Sequence, residues 1–103
     1  MSPPHSDNPA RSPGAVTRIL KIVNEKGLHA RASAKFVQTV EKFDAAVQVS
    51  RNGDSAGGDS IMGLMMLAAG IGTTITVTAT GPEAGQVIAA LDTLVSTRFG
   101  EEE

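Results

Sequence analysis

The spacing of apolar and polar residues changes several times along the chain, and each change marks an element. Residues 17–23 alternate imperfectly, with Arg18, Leu20 and Ile22 set against Ile19, Lys21 and Val23. Their β-branched content predicts a strand. Asn24-Glu25-Lys26-Gly27 reads as a loop in which Gly27 lets the chain turn sharply. From residue 30 to residue 43 the period lengthens. Ala30, Ala34 and Val37, with Phe36, Val40 and Phe43, make a helical stripe, and Lys35, Gln38, Glu41 and Lys42 fall between them. Residues 46–51 return to alternation, with Val47 and Val49 against Gln48 and Ser50. Asn52-Gly53 then signals a two-residue hairpin. The returning strand, 54–58, lacks a large apolar residue and is expected to be short and at a sheet edge. Ser60 suits the N-cap of a second helix over 61–69, and Gly70 its C-cap. Residues 73–80 alternate cleanly, with Ile75, Val77 and Ala79 inward. Gly81-Pro82 makes a turn into a third helix, 83–99, whose core stripe is Val87, Ala90, Leu91, Leu94 and Val95.

The resulting order, β-α-β-β-α-β-α, predicts an α+β two-layer sandwich, a four-stranded antiparallel sheet with three helices on one face. The folded domain is expected over 16–100. Residues 1–15 are rich in Pro, Ser and Asn and show no period, so they are read as a disordered tail; His5 lies there without fixed neighbours. Glu101, Glu102 and Glu103 are expected to fray.

Composition narrows the function classes. The chain has 103 residues, a net charge of -2 and only 3% aromatic residues. Scattered Lys and Arg, with so few aromatics, argue against nucleic-acid binding. With no cysteine and two histidines far apart, neither a disulfide nor a metal site is expected, and no cofactor is implied. No apolar run approaches the ~20 residues that span a bilayer. The N-terminus lacks the apolar core of a signal peptide. A cytoplasmic monomer is the expectation.

One stretch concentrates chemistry. His29 falls where the first strand hands over to the first helix, with Arg31 two residues on. A helix start offers free N–H groups and the positive end of the dipole. A largely neutral imidazole there has a nitrogen lone pair that can attack a phosphoryl group. Arg31 can add a planar contact to the phosphate oxygens. A plain surface histidine would show the same spacing. On the second helix, Ile61, Leu64 and Ala68 share one face, with Leu67 beside it. Met62, Met65 and Met66 fall on an adjacent face. Because the first set can fill the core, Met62 and Met65 are read as an exposed, adaptable docking patch, while Met66 is assigned to neither role.

Gly27-Leu28-His29-Ala30-Arg31 resembles the active-site signature of the histidine-containing phosphocarrier (HPr) family of the phosphoenolpyruvate-dependent phosphotransferase system. Ser60-Ile61-Met62-Gly63-Leu64-Met65 resembles that family's second signature, around a regulatory serine. The two motifs stand in the family's order, and the likeness runs from about residue 18 to residue 99. The stretch 24–43, the Ala79-Thr80-Gly81-Pro82 turn and the acidic end look closest to the nitrogen-related, NPr-type branch. Ala32 stands where many members have proline. The resemblance implies an open-faced sandwich and a phosphohistidine at His29, on Nδ1. Enzyme I would be the donor, an enzyme IIA protein the acceptor, and Arg31 would contact the phosphoryl group. It further implies regulatory phosphorylation of Ser60 by a bifunctional kinase/phosphorylase, in sugar transport or nitrogen regulation. The expected docking residues are Met62, Met65, Ile61 and Ala34. A regulatory module of the same fold that carries no phosphate is the alternative.

Overall fold

The structure is a computed structural model that describes residues 15–101. Most of the expected N-terminal tail, together with Glu102 and Glu103, lies outside the described residues. The elements run β1 (Val16–Lys21), α1 (Ala30–Val40), β2 (Ala46–Arg51), β3 (Asp54–Gly57), α2 (Ile61–Met66), β4 (Thr74–Thr80) and α3 (Ala84–Ser96), followed by a 3₁₀ turn over Arg98–Gly100. The sheet is ordered β1-β4-β2-β3, with every neighbouring pair antiparallel. The α+β open-faced sandwich is therefore the observed fold.

Alternation decides which face of the sheet is covered. Leu20 pairs with Ile75 and Val49 with Val77, and all four side chains are buried. The threonines of β4 point to the other face, as period-two geometry requires. Helices α1 and α3 lay Phe36, Val37, Val40, Val87, Ile88, Leu91 and Val95 onto the apolar face. Burial of each such side chain stabilises the fold by about 1.5–3 kcal/mol. The β2–β3 hairpin turns through Asn52 at φ 51 and Gly53 at φ 85, two positive angles of the kind a two-residue hairpin loop takes. β3 is short and at the edge.

Several boundaries differ from expectation, each for a tertiary reason. Helix α1 stops at Val40 rather than 43, because the Lys42 and Phe43 amides bond three residues back and tighten the last turn. Its buried side is Ala32, Ser33, Phe36, Val37 and Val40; Ala30 is exposed and Ala34 half-buried. Helix α2 ends at Met66, and Gly70 is not its cap. Ala68 takes the left-handed conformation instead, at φ 55, which turns the Ala69 carbonyl toward the loop before α1. Helix α3 ends at Ser96, where the Thr97 hydroxyl donates to the Thr93 carbonyl at 2.7 Å. Phe99, read as the helix's last residue, sits at φ 56 with its ring buried. Glu83 does not cap α3 with its side chain; its carboxylate accepts from the Asp44 amide at 2.7 Å. In α3, Ile88 is buried while Ala90 and Leu94 are half-buried.

Only Leu64 of α2 is buried, so this six-residue helix depends on its cap, where Ser60 Oγ accepts from the Gly63 amide at 3.0 Å. Ser60→Ala is expected to cost about 1 kcal/mol. Thermal unfolding should show Tm lower by about 4–8 °C, and Ser60→Asp, which can still cap, should largely restore it.

Candidate functional site

The loop before α1 is held by three hydrogen bonds. Asn24, fully buried, accepts from the Gly27 amide through its backbone carbonyl at 3.2 Å and donates from Nδ2 to the Gly27 carbonyl at 2.8 Å. The Leu28 amide donates to the Ala69 carbonyl at 3.0 Å, tying the loop to the chain after α2. Gly27 meets both demands of this turn. Its φ is +66, and a Cβ there would stand 2.3 Å from the Ala69 carbonyl oxygen.

The chain thus delivers His29 as the N-cap of α1, at φ -74 and ψ -178. Its carbonyl accepts from the Ser33 amide at 2.8 Å. The amides of residues 30, 31 and 32 precede that first intrahelical bond and have no backbone acceptor within the helix. Ring Nδ1 accepts from the Arg31 amide at 3.3 Å, a long contact. Ring Nε2 lies 2.6 Å from Glu101 Oε2, and the side chain is 27% exposed, open to an incoming group while held on two edges.

Glu101, expected to fray, lies against the ring. Its carboxylate is only 12% exposed, and its second oxygen receives Asn24 Nδ2 at 3.3 Å. Neither Glu101 nor Asn24 stands out in the sequence as a site residue. A run of three terminal glutamates carries no signal of a contact with a histidine 72 positions away. The one available hint is Phe99-Gly100, an aromatic residue followed by a turn former just ahead of the acidic run.

Arg31 is exposed, and its guanidinium makes no ion pair among the described residues. His29 borders a shallow groove with Lys26, Leu28, Met65 and residues 68–70. Ile61, Met62, Met65 and Met66 are all exposed on α2, Met62 at 67%, and Ile71 in the following loop is exposed as well. Ala34 is half-buried on α1. Ser60 lies at the far end of α2 from the residues that border His29. Among the described residues, no three His, Cys, Asp or Glu side chains are grouped to hold a metal ion, and no helix is long and apolar enough to cross a membrane.

Residues 16–97 match the family model described as PTS-HPr, PTS HPr component phosphorylation site. The chain belongs to the HPr family. It is 51% identical over 82 residues to the phosphocarrier protein HPr of Cupriavidus necator, covering 80% of this chain and 92% of that one. To the phosphocarrier protein NPr of Shewanella violacea it is 37% identical over 84 residues, covering 82% and 92%. The crystal structure of HPr-C-His from Thermoanaerobacter tengcongensis superposes with a TM-score of 0.81 at 36% identity, covering 85% of this chain and 99% of that one. Membership of the HPr family gives the chain a phosphocarrier role in the phosphotransferase system.

Proposed function

We propose that His29 carries the phosphoryl group, on Nδ1. Enzyme I, charged by phosphoenolpyruvate, supplies it, and a histidine of an enzyme IIA protein takes it. The observation that supports this most is His29 at the N-cap of α1. The partly exposed ring there sets Nδ1 against the Arg31 amide at the helix start. The Nδ1 lone pair attacks phosphorus, and the donor's P–N bond breaks with its electron pair returning to the donor ring. Incoming negative charge meets the helix amides and the Arg31 guanidinium. Rate comes from positioning and from charges already in place, since the protein has little covalent chemistry to add.

Met62, Met65, Ile61 and Ala34 form the docking surface for both partners. Flexible thioethers suit a face that must fit two proteins in turn. Met62→Asp is expected to raise KM for the donor about tenfold while kcat changes little, because the substitution removes docking and not chemistry. Steady-state transfer from enzyme I measures both. Phosphorylation of Ser60 by a kinase/phosphorylase would put negative charge beside this apolar face and weaken docking by repulsion and desolvation.

The carrier reading requires donation as well as acceptance. The phosphorylated chain, purified away from enzyme I, is mixed with unphosphorylated enzyme IIA. Loss of phosphate from the chain with matching gain on enzyme IIA supports the reading. A chain that accepts phosphate and passes it to no enzyme IIA from the same organism contradicts it.

A further inference from the structure

We infer that Glu101 is a positioning residue for His29, fixing the ring tautomer that leaves Nδ1 as the nucleophile; this rests on the phosphohistidine reading above. Two independent contacts select the same tautomer. An ionised carboxylate only accepts, so the 2.6 Å contact with Glu101 Oε2 places the ring hydrogen on Nε2. A backbone N–H only donates, so the contact from the Arg31 amide places a lone pair on Nδ1. The other tautomer would set N–H against N–H at one edge and lone pair against carboxylate at the other. The hydrogen bond made by one ring nitrogen thus decides what the other can do.

A left-handed turn delivers the carboxylate. Arg98, Phe99 and Gly100 take φ values of 60, 56 and 75, three left-handed residues in succession where L side chains are disfavoured. The turn is held by the buried Phe99 ring, by Lys35 Nζ donating to the Phe99 carbonyl at 2.6 Å and by the Glu101 amide donating to the Arg98 carbonyl at 2.9 Å. Asn24 Nδ2 then holds the second carboxylate oxygen. Because Asn24 also pins Gly27, one buried amide sets both the loop that carries the ring and the group that orients it.

No proton moves during transfer. The Nδ1 pair forms the new N–P bond, the donor P–N bond breaks toward the donor ring, and the His29 ring becomes a phosphoimidazolium that keeps its Nε2 hydrogen. Glu101 faces that positive charge. Because Nε2 keeps its hydrogen, the N–P bond pair returns to Nδ1 and the ring departs as neutral imidazole when the phosphoryl group passes on.

The test pairs ring ¹⁵N NMR of His29, at a pH well above the ordinary histidine range, with transfer kinetics from enzyme I. Wild type, Glu101→Ala and Glu101→Gln are compared. Wild type is expected to show the Nε2–H tautomer alone, and Glu101→Ala a mixture. Glu101→Gln, which keeps an acceptor without the charge, should retain the wild-type ring shifts. Glu101→Ala should lower kcat about tenfold with KM within a factor of about two, and Glu101→Gln should lie between. Wild-type ring shifts in Glu101→Ala overturn the inference, as does a tautomer change with unaltered kcat. The NMR arm needs no phosphate. Failure of the phosphohistidine reading would show separately, as wild-type protein that takes up no label from active enzyme I.

Discussion

Gly27→Ala is expected to destabilise the protein by about 2–4 kcal/mol and to lower Tm by more than about 10 °C. Two effects add. The residue sits at φ +66, where any L side chain costs about 1–2 kcal/mol. The new Cβ would also fall 2.3 Å from the Ala69 carbonyl oxygen and 2.8 Å from Gly70 Cα, and neither backbone atom can swing aside as a side-chain tip would. Relief requires the loop to lift away from the chain after α2, which breaks the bond from the Leu28 amide to the Ala69 carbonyl and displaces His29. Phosphoryl uptake should therefore fall at least about tenfold even at temperatures where the variant is folded. Gly72→Ala separates the two effects. Its φ is +86, but nothing lies within 4 Å of its Cβ position, so only the backbone cost of about 1–2 kcal/mol is expected. Thermal melts of the pair, with transfer assayed in the cold, make the comparison. Equal losses in both variants would show that the loop is not pinned against Ala69.

His29→Ala is expected to do the opposite, leaving the fold nearly intact while removing phosphoryl uptake altogether. The substitution deletes the long cap hydrogen bond, 3.3 Å from the Arg31 amide to Nδ1, and the 2.6 Å contact with the Glu101 carboxylate, so the stability cost should be about 1–3 kcal/mol, with no loss from the core. The Phe36, Leu64 and Leu91 side chains that hold the layers together are untouched. Label from phosphoenolpyruvate, counted on the protein after incubation with enzyme I, should be at background in the variant. Uptake at a tenth of the wild-type level or more would place the acceptor elsewhere.

How much of this could be read in advance varies residue by residue. The Thr-apolar alternation of β4, the Asn52-Gly53 turn and the Ser60 cap are local devices whose physics lies within a few residues, and all three stand as expected. The placement of His29 at a strand-to-helix hand-over is of the same kind, although nothing in the spacing marks its own imidazole as the N-cap acceptor. What escapes a sequence reading depends on distant partners. Gly70 is the better left-handed residue by intrinsic preference, yet Ala68 takes that conformation and Ala69 meets the loop before α1. Phe99 fits the end of a helical stripe, yet burying its ring through a left-handed turn brings Glu101 back to His29. No window of sequence contains both members of that pair. The helix-start part of the site was legible and the carboxylate part was not.

The most direct test is the intact mass of the wild-type chain after incubation with phosphoenolpyruvate, Mg²⁺ and enzyme I of the same organism, followed by peptide mapping under alkaline conditions. The expected result is a single added phosphate, lost in acid and located on the peptide that carries His29. No added phosphate while enzyme I charges itself, or an acid-stable phosphate on another residue, would contradict His29 as the carrier of the phosphoryl group.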